Sequence, residues 1–350
     1  MHIPGWPRVL LRADNMNPTL FLLGPSDDDA RNPSTREHVQ GGVKVTTSLS
    51  GLLPILPYVS ADPDLSPRST MVLVGVHEIR IPANTQVNLF NLVGDADSSQ
   101  GTLQRIQMIA DQIRPWRYFN PAENILTTAR GQLPTTLANI PGCILPCVES
   151  VSPVNFSEFC LACEKFDSWP LIVRAIGYSG GANMVLLNSP SELESLRDQS
   201  WLYGGILLVQ YIDCRDEDGL YNKTRVIVVD GVPYPRHSIY SDQWLSSTAS
   251  RAWMDSNVEL CQREERFLAY LRDEGMKQYG PVFREINQRI GLDIFGIDFA
   301  LVNGQMVIFE ANACMTFLRR RRWSRDPRYD YLDTHITALW GAVKTMLLNA

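Results

Sequence analysis

No stretch of the sequence reaches the roughly eighteen consecutive apolar residues that a membrane-spanning helix needs, so such a helix is excluded. The N-terminus, Met1-His2-Ile3-Pro4-Gly5-Trp6, lacks a basic segment followed by an apolar one, so no secretory signal is expected. Charge of one sign is also missing. Thirty-two Lys and Arg face 38 Asp and Glu for a net charge of −6, which argues against broad electrostatic binding of nucleic acid. The seven cysteines are odd in number and scattered, so a disulfide framework is not expected and reduced thiols in a cytoplasmic protein are. There is no internal repeat, no low-complexity tract and no Ser-His or Cys-His constellation for nucleophilic catalysis. What remains is a 350-residue chain, 45% hydrophobic and 20% charged, large enough for two or three domains or subdomains.

Patterning is weak over residues 1–70. Thr19 to Gly24 reads as a short buried strand, and prolines at 54, 57, 63 and 67 predict an irregular connection. Thr70 to Val76 and Leu89 to Asp95 read as strands, and Leu103, Ile106, Ala110 and Ile113 recur at helical spacing over 99–114. Strands alternating with helices predict an α/β layer. A second region, opening near Asn120-Pro121, holds an amphipathic helix over 155–166, a strand Pro170 to Arg174, a strand Met184 to Leu187, a helix start with Ser189 as N-cap, and a strand Ile206 to Ile212. A third region has a hairpin turning at Asp230-Gly231, a helix-rich stretch over about 255–290, a second hairpin turning at Asn303-Gly304, and a final helix from about Leu332 to Leu348.

Three constellations carry chemistry. Asp298 lies on one strand of the second hairpin, and Glu310 and Asn312 lie two apart on its partner, hence on one face. A two-residue turn sets Asp298 opposite 309, and a one-residue bulge would set it opposite Glu310. Two carboxylates and an amide oxygen suit Mg²⁺ shared with a polyphosphate, although strand-end carboxylates in water fit the same spacing. Arg174 leaves a strand just before Gly180-Gly181, which suits phosphate oxygens, although a plain diglycine hairpin with an exposed arginine fits more readily on this motif alone. Lys223 and Arg225 share a strand face, which suits a transferring phosphoryl group or a solvated face.

Taken in order, Pro170 to Arg174 with Gly180-Gly181, Leu208 to Ile212, Lys223 to Gly231, and Gly296-Ile297-Asp298-Phe299 with Phe309-Glu310-Ala311-Asn312 resemble an ATP-grasp carboxylate–amine ligase over about residues 115–318. The relatives it resembles are of the D-alanine–D-alanine ligase, glutathione synthetase and RimK-like type. The resemblance implies an α/β (α+β) chain: an N-terminal pre-ATP-grasp domain over 1–125, a central lid over 126–212 and a catalytic subdomain over 213–350. It implies ATP and Mg²⁺ (or Mn²⁺), with Asp298, Glu310 and Asn312 as metal ligands. Arg130 and Arg174 would contact the phosphates, with arginine at 174 where the family has lysine, and Gly180-Gly181 would be the mobile tip of the lid. Gln210, Tyr211 and Ile212 would form the adenine hinge, and Asp216 would be nearest the ribose. Arg225, helped by Lys223, would steady the acyl-phosphate and the tetrahedral intermediate.

Departures from the family pattern bear on the substrate. Ala313-Cys314-Met315 stands where many relatives have Pro-Gly, and Arg319 to Arg322 follow, suited to an acidic substrate or to a solvated turn. His237 could line the pocket, and His77 and Asp95 could face the same cleft from strand ends. Cys143, Cys147, Cys160 and Cys163 are faintly zinc-like, but Cys160 and Cys163 share an apolar helix face with Phe156, Phe159 and Phe166 and read as core. The expected partners are small-molecule or peptide carboxylates and amines, such as a peptide being tailored, with no nucleic acid, no membrane and a homodimer as an allowed assembly. A phosphotransferase without amine coupling and a non-catalytic nucleotide-binding module are the alternatives.

Overall fold

The computed structural model describes residues 8–10, 18–25, 27, 35–40, 43–50, 53–75, 78–80, 86–178, 180–246, 248–315, 317–318 and 327–350. His77 and Arg319 to Arg322 lie outside them. In chain order the first elements are β1 (Arg8–Leu10), β2 (Thr19–Pro25), β3 (Thr35–Gln40), β4 (Val43–Ser50), α1 (Leu56–Ala61), β5 (Ser69–Leu73), β6 (Glu78–Arg80), β7 (Asn88–Asn91), α2 (Gln100–Ile113) and β8 (Arg117–Phe119). β5, β2, β7 and β8 run parallel in that order, and the β3–β4 hairpin joins at the end of β2. β2 is apolar on both faces because it lies at the centre: Leu20 and Leu22 enter one core, Phe21 and Leu23 the other.

The proline-rich connection is ordered rather than irregular. Pro57 sits in the first turn of α1 and Pro67 in a 3-10 turn at 66–68, where a fixed φ and a missing N–H cost nothing. α2 buries Leu103, Ile106 and Ala110, and Asp27 caps its start from 74 residues away, accepting from Gly101 N at 2.7 Å and Thr102 N at 3.2 Å.

The middle of the chain supplies α3 (Ala122–Leu126), α4 (Leu133–Thr136), β9 (Cys143–Ile144), β10 (Val148–Val151), α5 (Phe156–Phe166), β11 (Leu171–Ala175), β12 (Met184–Leu187) and β13 (Ile206–Gln210). β10, β13, β11 and β12 form an antiparallel sheet. α5 packs Phe159 and Cys163 against Leu171, Val173, Ile206 and Leu208, so Cys160 and Cys163 do belong to this core. By alternation Ile172 and Arg174 face the other way. Ser189 makes no capping bond. The segment 190–196 is 3-10, held by the Glu192 carboxylate accepting from Asn188 N at 3.0 Å.

The last part holds β14 (Tyr221–Val229), β15 (Val232–Ser241), α6 (Thr248–Asp255), α7 (Val258–Tyr270), α8 (Met276–Ile290), β16 (Ile294–Val302), β17 (Gln305–Asn312) and α9 (Asp330–Leu348). The sheet order is β15-β14-β16-β17-β9. Both hairpins turn on two left-handed residues, Asp230-Gly231 and Asn303-Gly304, matching the twist of the strands. One face (Val226, Val228, Ile297, Phe299) packs on α8, and the other (Ile227, Val229, Ile294) packs on α9. Both cores continue into the N-terminal sheet. Asn120 fastens the join: its side chain donates to Ile294 O at 2.8 Å and accepts from Ile294 N at 2.9 Å. Among the described residues no helix is long and apolar enough to cross a membrane.

Candidate active site

Four side chains stand in one row across the last sheet. In register, His237 of β15 faces Arg225 of β14, Arg225 faces Asp298 of β16, and Asp298 faces Glu310 of β17. Two β-bulges produce this alignment. Arg236 is the extra residue of β15, where register shifts after Arg225, and Phe309 is the extra residue of β17, where it shifts after Asp298. A bulge re-aims the strand beyond it. The two-residue turn alone would have set Asp298 against Phe309. The bulge puts Glu310 there, and Asn312 follows opposite Gly296.

Arg225 grips Asp298 bidentately, Nε to Oδ1 at 2.7 Å and Nη2 to Oδ2 at 2.8 Å, and Lys223 Nζ lies 3.5 Å from Oδ2. The Asp298 side chain is only 3% exposed. Burial opposes its charge, but Arg225 and then Lys223 outweigh it and hold the carboxyl below the usual range. Glu310 is likewise held down, chiefly by Arg130, against burial and the charge of Asp298. Both carboxylates are therefore ionised at neutral pH.

Arg130 bridges parts of the chain. Its guanidinium pairs with Asp97 and with Glu310, and its backbone N–H donates to Asp97 Oδ1 at 3.3 Å. Its Nε–H is buried and has no partner. Arg174 Nη2 donates to Tyr178 O at 3.1 Å, and burial, then the charge of Arg130, push its guanidinium down to about 10, still cationic at neutral pH. The loop after β7 closes this side. A side chain at Gly94 would meet Ala313 C and Cys314 N at 2.8 Å, so only glycine allows this approach. Asp95 follows. Burial raises its carboxyl, with Asp97 and Glu310 adding to the rise and Arg130 opposing it. Asp95, Asp97 and Arg130 thus join the site from well outside the sheet. Nothing in the sequence singled out Asp97; its position two residues beyond Asp95 in the loop after a parallel strand was the available signal.

The donors fit a hard cation. Asp298 and Glu310 are ionised neighbours, the oxygen chemistry that Mg²⁺ prefers. Among the described residues no group of three or more His, Cys, Asp and Glu forms a metal cage. Asn312 is at the site but turned: its oxygen accepts from Cys314 N at 2.7 Å and Cys314 Sγ at 2.8 Å, while its nitrogen donates to Glu310 Oε1 at 3.2 Å. Ligation by Asn312 requires the amide to turn over and release the thiol.

Other predicted residues fall at differing distances from this row. His237 is in it, and burial followed by Arg225 keeps its imidazole neutral, well below its ordinary pKa. Gly180 and Gly181 are left-handed, and a side chain on Gly181 would reach Leu245 at 3.0 Å, so the loop after β11 touches the segment after β15. In the hinge, Gln210 N–H goes to Cys147 O at 2.9 Å and Tyr211 N–H to Pro170 O at 3.2 Å. Two of the three proposed adenine-facing residues therefore have their backbone donors committed to the sheet. Asp216 is not brought to the site. Its carboxylate closes its own loop, accepting from Asp218 N and Leu220 N at 3.0 Å each, and pairs with Arg263 at 2.8 Å. It lines a cavity with Asn222 and Leu301, which alternation puts on the face opposite Lys223 and Asp298.

No protein-family model and no curated protein sequence matches the chain. Solved structures do. D-alanyl-alanine synthetase A from Vibrio cholerae O1 biovar eltor is similar at 12% identity, TM-score 0.50, over 93% of this chain and 98% of that one. N5-carboxyaminoimidazole synthetase from Staphylococcus aureus, complexed with ADP, is similar at 15% identity, TM-score 0.49, over 94% and 80%. D-alanine–D-alanine ligase from Bacillus anthracis, complexed with ATP, is similar at 11% identity, TM-score 0.48, over 96% and 100%. What the chain shares with the Vibrio enzyme is its fold, and that fold is the ATP-grasp fold.

Proposed function

We propose that the chain is an ATP-dependent, ADP-forming carbon–nitrogen ligase that activates a substrate carboxylate as an acyl-phosphate and couples it to an amine. The observation that carries this reading is the row Arg225–Asp298–Glu310, a buried and a half-buried ionised carboxylate, each already paired with a cation. Such a row can hold a polyphosphate–metal unit and stabilise charge that migrates across it. The fold, shared with a synthetase, is consistent with it.

In this reading residues 1–125 border the carboxylate site and 213–350 form the catalytic subdomain; of 126–212 the lid is the separate sheet from β10 to β13, whereas β9 pairs with β17 and belongs with the catalytic subdomain. Mg²⁺ held by Asp298 and Glu310, with Asn312 once its amide turns, would neutralise phosphate charge. Arg130 and Arg174 hold phosphate oxygens. The substrate carboxylate attacks the γ-phosphorus, the bond to the ADP oxygen breaks, and Arg225 with Lys223 steadies the charge on the transferred group. The amine then attacks the acyl carbon, phosphate leaves with the C–O bond pair, and the ammonium proton passes to solvent. Arg225 again faces the oxyanion. The loop at Gly180-Gly181 closes over the nucleotide and excludes water. The substrates are amino acids or peptides, in the cytoplasm.

The test is ADP release with ATP, Mg²⁺ and pairs drawn from the common amino acids and short peptides, read with product mass. An amide product one water lighter than its two substrates supports the ligase, and Arg225→Met should lower turnover at least about a hundredfold. ADP release with a phosphorylated acid and no amide would establish a phosphotransferase instead. Nucleotide binding without turnover on any pair would favour the binding module.

A further inference from the structure

The geometry points to Asp97 as the positioning residue of Arg130: it keeps the guanidinium anchored while Arg130 exchanges Glu310 for a phosphate oxygen of the nucleotide. This rests on the nucleotide site proposed above and adds to it a residue and an order of events.

Four observations support the assignment. Asp97 binds Arg130 twice, through the guanidinium and through the backbone N–H at 3.3 Å, so it fixes both ends of the arm. Both side chains are only 9% exposed, so the pair is shielded and strong for its geometry. Glu310 holds Arg130 less exclusively, because it also accepts from Asn312 at 3.2 Å and is 23% exposed. Finally, the Arg130 Nε–H is buried without an acceptor among the protein's own groups.

Where a divalent cation takes Glu310 Oε1, the oxygen that Arg130 and Asn312 share, the arginine pair has to give way. When the cation claims Glu310, the freed Nη2 and the unsatisfied Nε–H of Arg130 are two donors in search of an acceptor, and a phosphate oxygen supplies one. Asp97 is untouched by the exchange. Asp95, whose Oδ1 accepts from Asp97 N at 3.0 Å, sets the backbone of this anchor.

The test measures the dissociation constant of the non-hydrolysable analogue AMP-PNP, with MgCl₂ and with EDTA, by calorimetry. The proteins are wild type, Asp97→Asn, Asp97→Glu and Glu310→Gln. Asp97→Asn should weaken binding at least about tenfold with Mg²⁺ and less than about threefold without it, and Asp97→Glu should restore most of the loss. Glu310→Gln releases Arg130 without a metal, so metal-free binding should tighten about fivefold or more while the magnesium effect disappears. An Asp97→Asn variant that binds like wild type in Mg²⁺, or that loses affinity equally in both buffers, overturns the assignment. Metal-free binding by Glu310→Gln no tighter than wild type also overturns it, and this arm decides the matter if Asp97→Asn does not fold. Wild type that binds no AMP-PNP in Mg²⁺ overturns the nucleotide site itself, an outcome distinct from the others.

Discussion

Replacing Asp298 by asparagine keeps the side chain's size and removes its charge. Arg225 then loses a bidentate partner at 2.7 and 2.8 Å, and Lys223 loses an anion at 3.5 Å. The Arg225 side chain is 17% exposed and that of Lys223 25%, so Lys223 can turn to water and Arg225 cannot do so fully. Leaving one partner of a buried pair uncompensated costs about 3–5 kcal/mol, and the single acceptor retained by asparagine argues for the lower end, about 3 kcal/mol. With about 2–4 °C lost per kcal/mol in a unit of 150–250 residues, the melting temperature should fall by roughly 6–12 °C. Differential scanning fluorimetry at pH 7 in low phosphate reads this directly, without assuming that so large a chain unfolds in one step. The double variant Arg225→Met/Asp298→Leu removes both charges and should recover most of the loss, because an apolar pair of similar size can replace a buried ion pair. An Asp298→Asn variant within about 2 °C of wild type, or a double variant no more stable than the single one, would refute the view that this pair is a buried and mutually dependent unit.

Gly94→Ala drives a methyl into backbone atoms of Ala313 and Cys314 at 2.8 Å, where neither side can rotate away, and should cost about 1–3 kcal/mol, seen as a lower melting temperature. Arg174→Met should weaken AMP-PNP binding about tenfold or more, measured by calorimetry, while leaving the melting temperature of the free protein within a few degrees. His237 is held neutral well below its ordinary pKa. Below about pH 6.5 the unfolded chain gains a proton that the folded chain refuses, so stability present above that pH is lost as pH falls. A melting-temperature series from pH 8 to pH 5 should show the loss, and His237→Gln should flatten it; parallel curves for the two proteins would contradict this.

Much of the fold was legible where one periodicity ruled. β16 and β17 with their Asn303-Gly304 turn, the helix over 156–166 and the buried run at 19–24 needed only alternation, spacing and turn chemistry. Boundaries failed where turn residues overrode apolar content: β7 ends at Asn91, and Val93-Gly94-Asp95 is loop because Gly94 must pass close to another backbone. The register of Asp298 hung on a bulge at Phe309, which spacing allowed without requiring. Asp216 looked well placed because it follows the hinge, but its carboxylate is consumed by its own turn and by Arg263, a partner 47 residues away. Asp97 and Arg130 are 33 residues apart and meet Glu310 only through the packing of the N-terminal sheet on the last one, a tertiary fact with no local pattern.

The measurement that bears most directly on the proposed nucleotide site is the thermal shift produced by AMP-PNP with and without Mg²⁺, in wild type and in Glu310→Ala. A ligand at a hundred times its dissociation constant adds about 2.7 kcal/mol, enough to raise the melting temperature visibly. Wild type should show a shift that grows with magnesium, and Glu310→Ala should lose the magnesium-dependent part while keeping a metal-free shift. A folded wild-type protein with no shift, or a magnesium dependence that Glu310→Ala keeps in full, would contradict the proposed site.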